Sequence, residues 1–260
     1  FFTSHNSMKN KNIKDAATAV TRDGAVILIT GASKGIGYAV ALKCAQEGAT
    51  VIECGRDVTS LELLSDAIVK EGCSRPSLLP INLANASVED YKKVATHIRE
   101  QFGKLDGLIL NAAMLGELTP LVNYSSTLWK EVFQVNVHAN LLMLKEFRQL
   151  LIESELKSVL FTLESEQLLK AAHWGAYGSS KAALRSVMRM FAAENSAIDQ
   201  LNVMGVIPPP TKTNIRTTAY PAEDQFSLAN PNEIAKDYVQ LLNLQNSECH
   251  RKIIEIGSHS

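Results

Sequence analysis

The chain has 260 residues, 46 % of them hydrophobic and 20 % charged, enough to bury one large core in a single domain. Its 26 basic residues stand against 27 acidic ones, which argues against nucleic acid or another polyanion as a partner. No apolar run reaches membrane-spanning length, and Cys44, Cys54, Cys73 and Cys249 lie far apart with no CxxC pair, so the sequence predicts a soluble protein of a reducing, cytoplasmic compartment.

Residues 1–22, opening FFTSHNSMKNKNIKD, are too polar for a signal-peptide core and are expected to form a flexible tail, with Met8 a candidate natural start, ahead of one domain at 23–260. Beyond the tail, short apolar runs alternate with helical patterns. AVILIT (25–30), TVIEC (50–54), SLLPIN (77–82), DGLILN (106–111), LKSVLFTL (156–163), LNVMGVI (201–207) and RKIIEI (251–256) read as strands buried on both faces. The segments 35–48, 60–72, 87–103, 127–153, 176–197 and 231–244 are long enough for crossover helices, several with apolar residues three and four apart. The fold class predicted is α/β: a doubly wound, seven-stranded parallel sheet flanked by helices.

Directly after the first strand runs T-G-A-S-K-G-I-G, Thr30 to Gly37. Glycines here permit a tight turn and let backbone N–H groups meet a pyrophosphate at the positive end of the next helix. Such a turn alone is also a plain strand-to-helix connection. Its place on the first strand of an alternating chain makes a dinucleotide the expected ligand, held by Gly31, Ser33, Lys34, Gly35, Ile36 and Gly37. The second strand ends C-G-R-D, so Gly55 stands where an NAD site carries its ribose-binding acid. Arg56 and Lys34 can meet a 2′-phosphate, which favours NADP (as NADPH) over NAD, although both are also ordinary surface cations and Asp57 offers Arg56 another partner.

Tyr177 and Lys181 in YGSSK are four apart, hence on one face of a helix, where a phenol and an ammonium can address the same ligand. The cation is expected to lower the phenol pKa and fit it for proton transfer. His138 and His173 lack partners at metal-ligand spacing, so no metal site is expected. Trp174 is expected to wedge the loop before the helix, and the segment 127–153 is apolar on more than one side.

Together TGASKGIG (30–37), LNAA (110–113), the asparagine of FQVNV (133–137), YGSSK (177–181) and IPPPTKT (207–213) resemble the short-chain dehydrogenase/reductase family, in its order and spacing, over residues 24–257. HWGAYGSSK and AYPAED (219–224) look most like its bacterial YciK-type oxidoreductases. The resemblance implies a Rossmann fold and hydride exchange between NADP and a small-molecule carbonyl or alcohol. It further implies Tyr177 as proton donor and acceptor, Lys181 tuning it and holding the nicotinamide ribose, and Asn136 supporting a water-linked relay. By the same resemblance Asn111 lies along the cofactor, Asn82 and Leu83 flank the adenine, and Thr213 touches the carboxamide. The helix at 127–153 would pair with its copy in a homodimer or homotetramer.

Several positions depart from the family pattern. Asn82 replaces an aspartate, LNAA replaces NNAG, and IPPP replaces NPG, so that Pro209 and Pro210 are expected to stiffen or misshape the nicotinamide pocket. Above all, Glu164 falls thirteen residues before Tyr177, where the family has a serine that steadies the substrate oxygen. An ionised carboxylate cannot donate a hydrogen bond and opposes a developing alkoxide. Three accounts are open: a bulge turns Ser165 inward as the catalytic donor, a protonated Glu164 donates instead, or 163–168 is a drifted surface loop. The first two leave an NADP-dependent oxidoreductase; the third leaves a dinucleotide-binding scaffold with little turnover.

Overall fold

All five residues of VILIT are buried, so the first strand, β1 (Val26–Thr30), has no solvent face. That is the pattern of a parallel strand covered by helices on both sides. The computed structural model describes residues 23–195, 201–244 and 250–257; the expected tail 1–22, Cys249 and the end of the 176–197 helix lie outside them.

After β1 the chain runs through α1 (Gly35–Gln46), β2 (Thr50–Gly55), α2 (Val58–Lys70), β3 (Ser77–Pro80), α3 (Val88–Phe102) and β4 (Gly107–Leu110). It continues through α4 (Ser126–Phe133), a π-helical turn (Gln134–His138), α5 (Ala139–Ile152), β5 (Ser158–Thr162) and α6 (Glu166–Leu169). The last elements are α7 (Gly175–Glu194), β6 (Asn202–Ile207), α8 (Asn214–Ala219), α9 (Pro231–Leu242) and β7 (Ile253–Glu255). Every strand pairing is parallel, in the order β3-β2-β1-β4-β5-β6-β7. Alternate residues of β1 enter different cores: Ile27 and Ile29 pack with α1, α2 and α9, whereas Val26 and Leu28 pack with α3, α5 and α7. The order reverses between β1 and β4, which opens a crevice at the strands' carboxyl ends.

Local signals explain the helix boundaries. Ser87 and Asp90 form a reciprocal capping box at the start of α3, and Gly103 ends it at φ 72°. Asn230 caps α9, whose first residue is Pro231. Three details differ from the sequence expectations. The helix expected over 127–153 is interrupted by the π turn at 134–138, an insertion that periodicity alone does not register. The other two are α6 and α8, too short to show a helical period, each started by a hydroxyl cap, Ser165 and Thr213.

One buried group works against this core. Glu53 in β2 lies between Ile29 and Leu78 in the sheet register, has no exposed surface, and neither carboxyl oxygen has a partner. Burial pushes its pKa up to about 8. The folded state therefore holds this proton between the ordinary carboxyl pKa and pH about 8, and its contribution to stability is lost as pH rises through that window. Glu53→Leu is expected to stabilise the fold by on the order of 2 kcal/mol near pH 8 and to flatten the fall of Tm from pH 5 to 9. Parallel Tm curves for parent and variant would refute this account.

Candidate active site

The crevice opens into a cleft of about 1850 Å³, lined at one end by the glycine turn and at the other by Glu164, Tyr177 and Lys181. Gly31 and Gly35 take φ of 69° and 59°, and a Cβ on Gly37 would stand 2.2 Å from the Gly31 carbonyl oxygen. Only glycine allows this close turn, which leaves the cleft floor as bare backbone, a cradle suited to a pyrophosphate. Ser33, Lys34 and Ile36 complete this end, with Lys34 exposed at the N-cap of α1. Across it sits Thr213, whose methyl would touch a Cβ on Gly35 at 3.1 Å and whose hydroxyl caps α8.

Gly55, Arg56, Asn82 and Leu83 line the outer part of the cleft. Arg56 is exposed, and Asp57 does not take it up as a partner: that carboxylate caps α2, accepting from the Ser60 N–H and hydroxyl. The Asn82 side-chain oxygen accepts locally from the Ala84 N–H at 3.1 Å. Asn111 spans β1 and β5: its amide donates to the Thr30 carbonyl at 3.1 Å and its oxygen accepts from Thr162 at 3.4 Å. In the far wall the Pro209 carbonyl accepts from the Thr211 hydroxyl and that of Pro210 from the Ala229 N–H.

Tyr177 and Lys181 lie one turn apart on α7, both buried. The ammonium of Lys181 stands 5.8 Å from the Tyr177 ring centroid and donates to the Thr162 carbonyl at 2.9 Å. The Tyr177 hydroxyl donates to Glu164 Oε1 at 2.9 Å. Glu164, not Ser165, thus faces the tyrosine. Ser165 instead caps α6, its hydroxyl accepting from the Leu168 N–H. Nor is 163–168 a loose surface loop: Arg185 grips it, donating to the Glu164 carbonyl and pairing with Glu166.

The electrostatics reverse one expectation. Lys181 does not bring the phenol pKa down; burial, then the charge of Glu164 and the hydrogen bond to it, hold it well above its usual value. Burial lowers Lys181 to about 8, with Glu164 pulling the other way. At neutral pH Tyr177 is therefore a phenol, able to give a proton but costly to ionise.

Asn136 is fully buried in the π turn and stands behind the cleft wall. Its amide accepts from the Met114 N–H and donates to the Met114 carbonyl and the Ser180 hydroxyl, fastening the strand-end loop to α7. Its backbone carbonyl accepts from the Asn140 side chain at 2.7 Å. The sequence reading overlooked Thr162, Ser180 and Arg185. Arg185 alone had a signal, since 177, 181 and 185 repeat at intervals of four along one helix face. Trp174 does stand before the helix, its ring 5.7 Å from Tyr177 and 5.6 Å from Tyr220. Among the described residues no group of three or more His, Cys, Asp or Glu converges on a metal position, and no helix is long and apolar enough to cross a membrane.

A parallel sheet with a glycine cradle at its switch point and a Tyr–Lys pair at the far end of the cleft defines a dinucleotide-dependent oxidoreductase scaffold. Residues 25–224 match the family model for short chain dehydrogenases, and the chain belongs to that family, with its Rossmann fold. It is 34 % identical over 217 residues to YciK of Escherichia coli (strain K12), an uncharacterised oxidoreductase, covering 84 % of this chain and 85 % of that protein. A short chain dehydrogenase from Shigella flexneri 2a (strain 301) complexed with NADP superposes with a TM-score of 0.86 at 30 % identity, covering 92 % of this chain and 99 % of the other. One from Escherichia coli CFT073 complexed with NADPH gives 0.85 at 30 % identity, covering 92 % and 98 %.

Proposed function

We propose that the protein is an NADP-dependent oxidoreductase in which Tyr177 exchanges the proton at the reacting group of a small-molecule substrate. The observation that carries this reading is the pairing of Tyr177 and Lys181 at the end of the cleft opposite the glycine cradle. NADPH bound along the cleft supplies the hydride. Gly31, Ser33, Gly35 and Ile36 would receive its pyrophosphate, Asn82 and Leu83 its adenine, and Thr213 and Asn111 its nicotinamide half. Lys181 orients the ribose, while Asn136 acts through Ser180 and Met114 to hold the walls in place. A catalytically impaired scaffold is the second reading, favoured by the carboxylate against Tyr177.

The choice of NADP rests on Arg56 and Lys34, exposed cations at the adenine end, with Gly55 beside them in place of an acid. NADPH is expected to bind at least about tenfold tighter than NADH in fluorescence titrations, and Arg56→Ala to remove most of that difference. Equal affinities in the parent would dismiss the NADP assignment. Unpaired Cys44, Cys54 and Cys73 suit a reducing, cytoplasmic setting. Exposed Leu121 and Val122, in the turn before α4, and Leu141 on α5 favour pairing of two or four copies. Part of the apolar surface of α4 is used within the chain, where Trp129 stacks on Phe133 at 5.4 Å.

A further inference from the structure

Glu164 opposes the reduction of a carbonyl, because an alkoxide would develop beside a carboxylate. The cations around it do not contact it. Among the described residues none stands within ion-pair distance of Glu164. Lys181 and Arg216 both sense its charge, yet each is committed elsewhere. The Lys181 ammonium is turned to the Thr162 carbonyl, and Arg216 is forked onto Glu223, its Nε donating at 2.6 Å. Lining the same cleft is an aromatic wall of Trp174, Tyr177 and Tyr220, of which Tyr177 reaches the carboxylate. This wall already accommodates a cation, since the Arg216 guanidinium lies 3.9 Å from the Tyr220 ring centroid. A carboxylate without an ion-pair partner, next to aromatic faces, is a site for a positively charged reacting group.

We propose that the substrate carries a carbon–nitrogen rather than a carbon–oxygen double bond: a protonated imine, reduced to an amine, with Glu164 pairing the N–H⁺ and selecting this class. The proposal rests on the oxidoreductase reading above. The step balances as iminium plus NADPH giving amine plus NADP⁺. Hydride arrives at carbon, the C=N π pair settles on nitrogen, and the amine takes one proton from Tyr177, itself resupplied from solvent, to leave as ammonium. Nitrogen passes from positive to neutral and back, so the reacting atom never carries negative charge beside Glu164. The same carboxylate keeps the imine in its protonated form, which is the electrophilic one.

The test compares a cyclic imine that persists in water, 2-methyl-1-pyrroline, with the ketone cyclopentanone, following NADPH oxidation by the parent, Glu164→Ser and Glu164→Gln. Calorimetry with the saturated amine 2-methylpyrrolidine reads binding independently of turnover. The parent is expected to favour the imine by about 10²-fold in kcat/KM, Glu164→Ser to reverse that preference, and Glu164→Gln to weaken ammonium binding by roughly tenfold or more. A parent that prefers the ketone, or ammonium binding equal in the parent and Glu164→Gln, overturns the proposal. Ketone turnover by Glu164→Ser with no imine turnover by the parent overturns the nitrogen assignment alone and leaves the oxidoreductase reading standing. NADPH oxidation by none of the three proteins with either probe overturns both.

Discussion

Tyr177→Phe is expected to lower NADPH-dependent turnover by roughly 10³-fold while leaving NADPH affinity unchanged, because it removes the proton proposed to exchange with the substrate and little else. The ring stays: its packing against Trp174 and its place on the buried face of α7 do not involve the hydroxyl. What is lost is the hydrogen bond to Glu164. Turnover measured alongside fluorescence titration separates the two effects. A variant with parental turnover would exclude Tyr177 as the proton carrier, and one that loses NADPH binding as well would assign the tyrosine to the cofactor instead.

Glu164→Ser is expected to raise carbonyl reduction by about 10²-fold, since it replaces an opposing charge with a hydroxyl donor at the point where an alkoxide develops. It carries a second signature in the reverse direction. Alcohol oxidation needs ionised Tyr177 as base, so its rate rises with pH through the tyrosine pKa. Burial is the first cause of that elevated pKa and survives the substitution, but the charge of Glu164 and its hydrogen bond do not. The oxidation profile should therefore move to lower pH in Glu164→Ser. An unmoved profile with unchanged reduction would mean that Glu164 does not govern Tyr177, and would point to the prolines at 209–210 as the limit on carbonyl chemistry.

Much of this was legible in the sequence because it depends on local chemistry. Seven apolar runs of strand length, separated by six segments able to cross back, leave a doubly wound sheet as the economical way to bury them. The glycines of 30–37 announce the cradle because only glycine takes φ near 60–70° without strain or admits the backbone approach at Gly37. The spacing of Tyr177 and Lys181 places them on one helix face wherever that helix lies.

Tertiary structure decided what those residues feel. Spacing brings Lys181 near Tyr177, yet the ammonium turns to the Thr162 carbonyl, and the identity of that acceptor is fixed by the packing of β5 against α7. Whether Glu164 or Ser165 met the Tyr177 hydroxyl was a question of how the backbone turned at the end of β5. It was settled by a four-residue helix that needs Ser165 as its cap and by Arg185, reaching from two turns along α7 to grip the Glu164 carbonyl. Glu53 shows the same division: the sequence places a glutamate in a strand, but only the layers above and below it determine that neither oxygen finds a partner. Sequence by itself determines which groups are available and how a short stretch can bend. The direction of a pKa shift or the partner of a carboxylate depends on burial and on neighbours far along the chain, and these exist only once the sheet and its helices have packed.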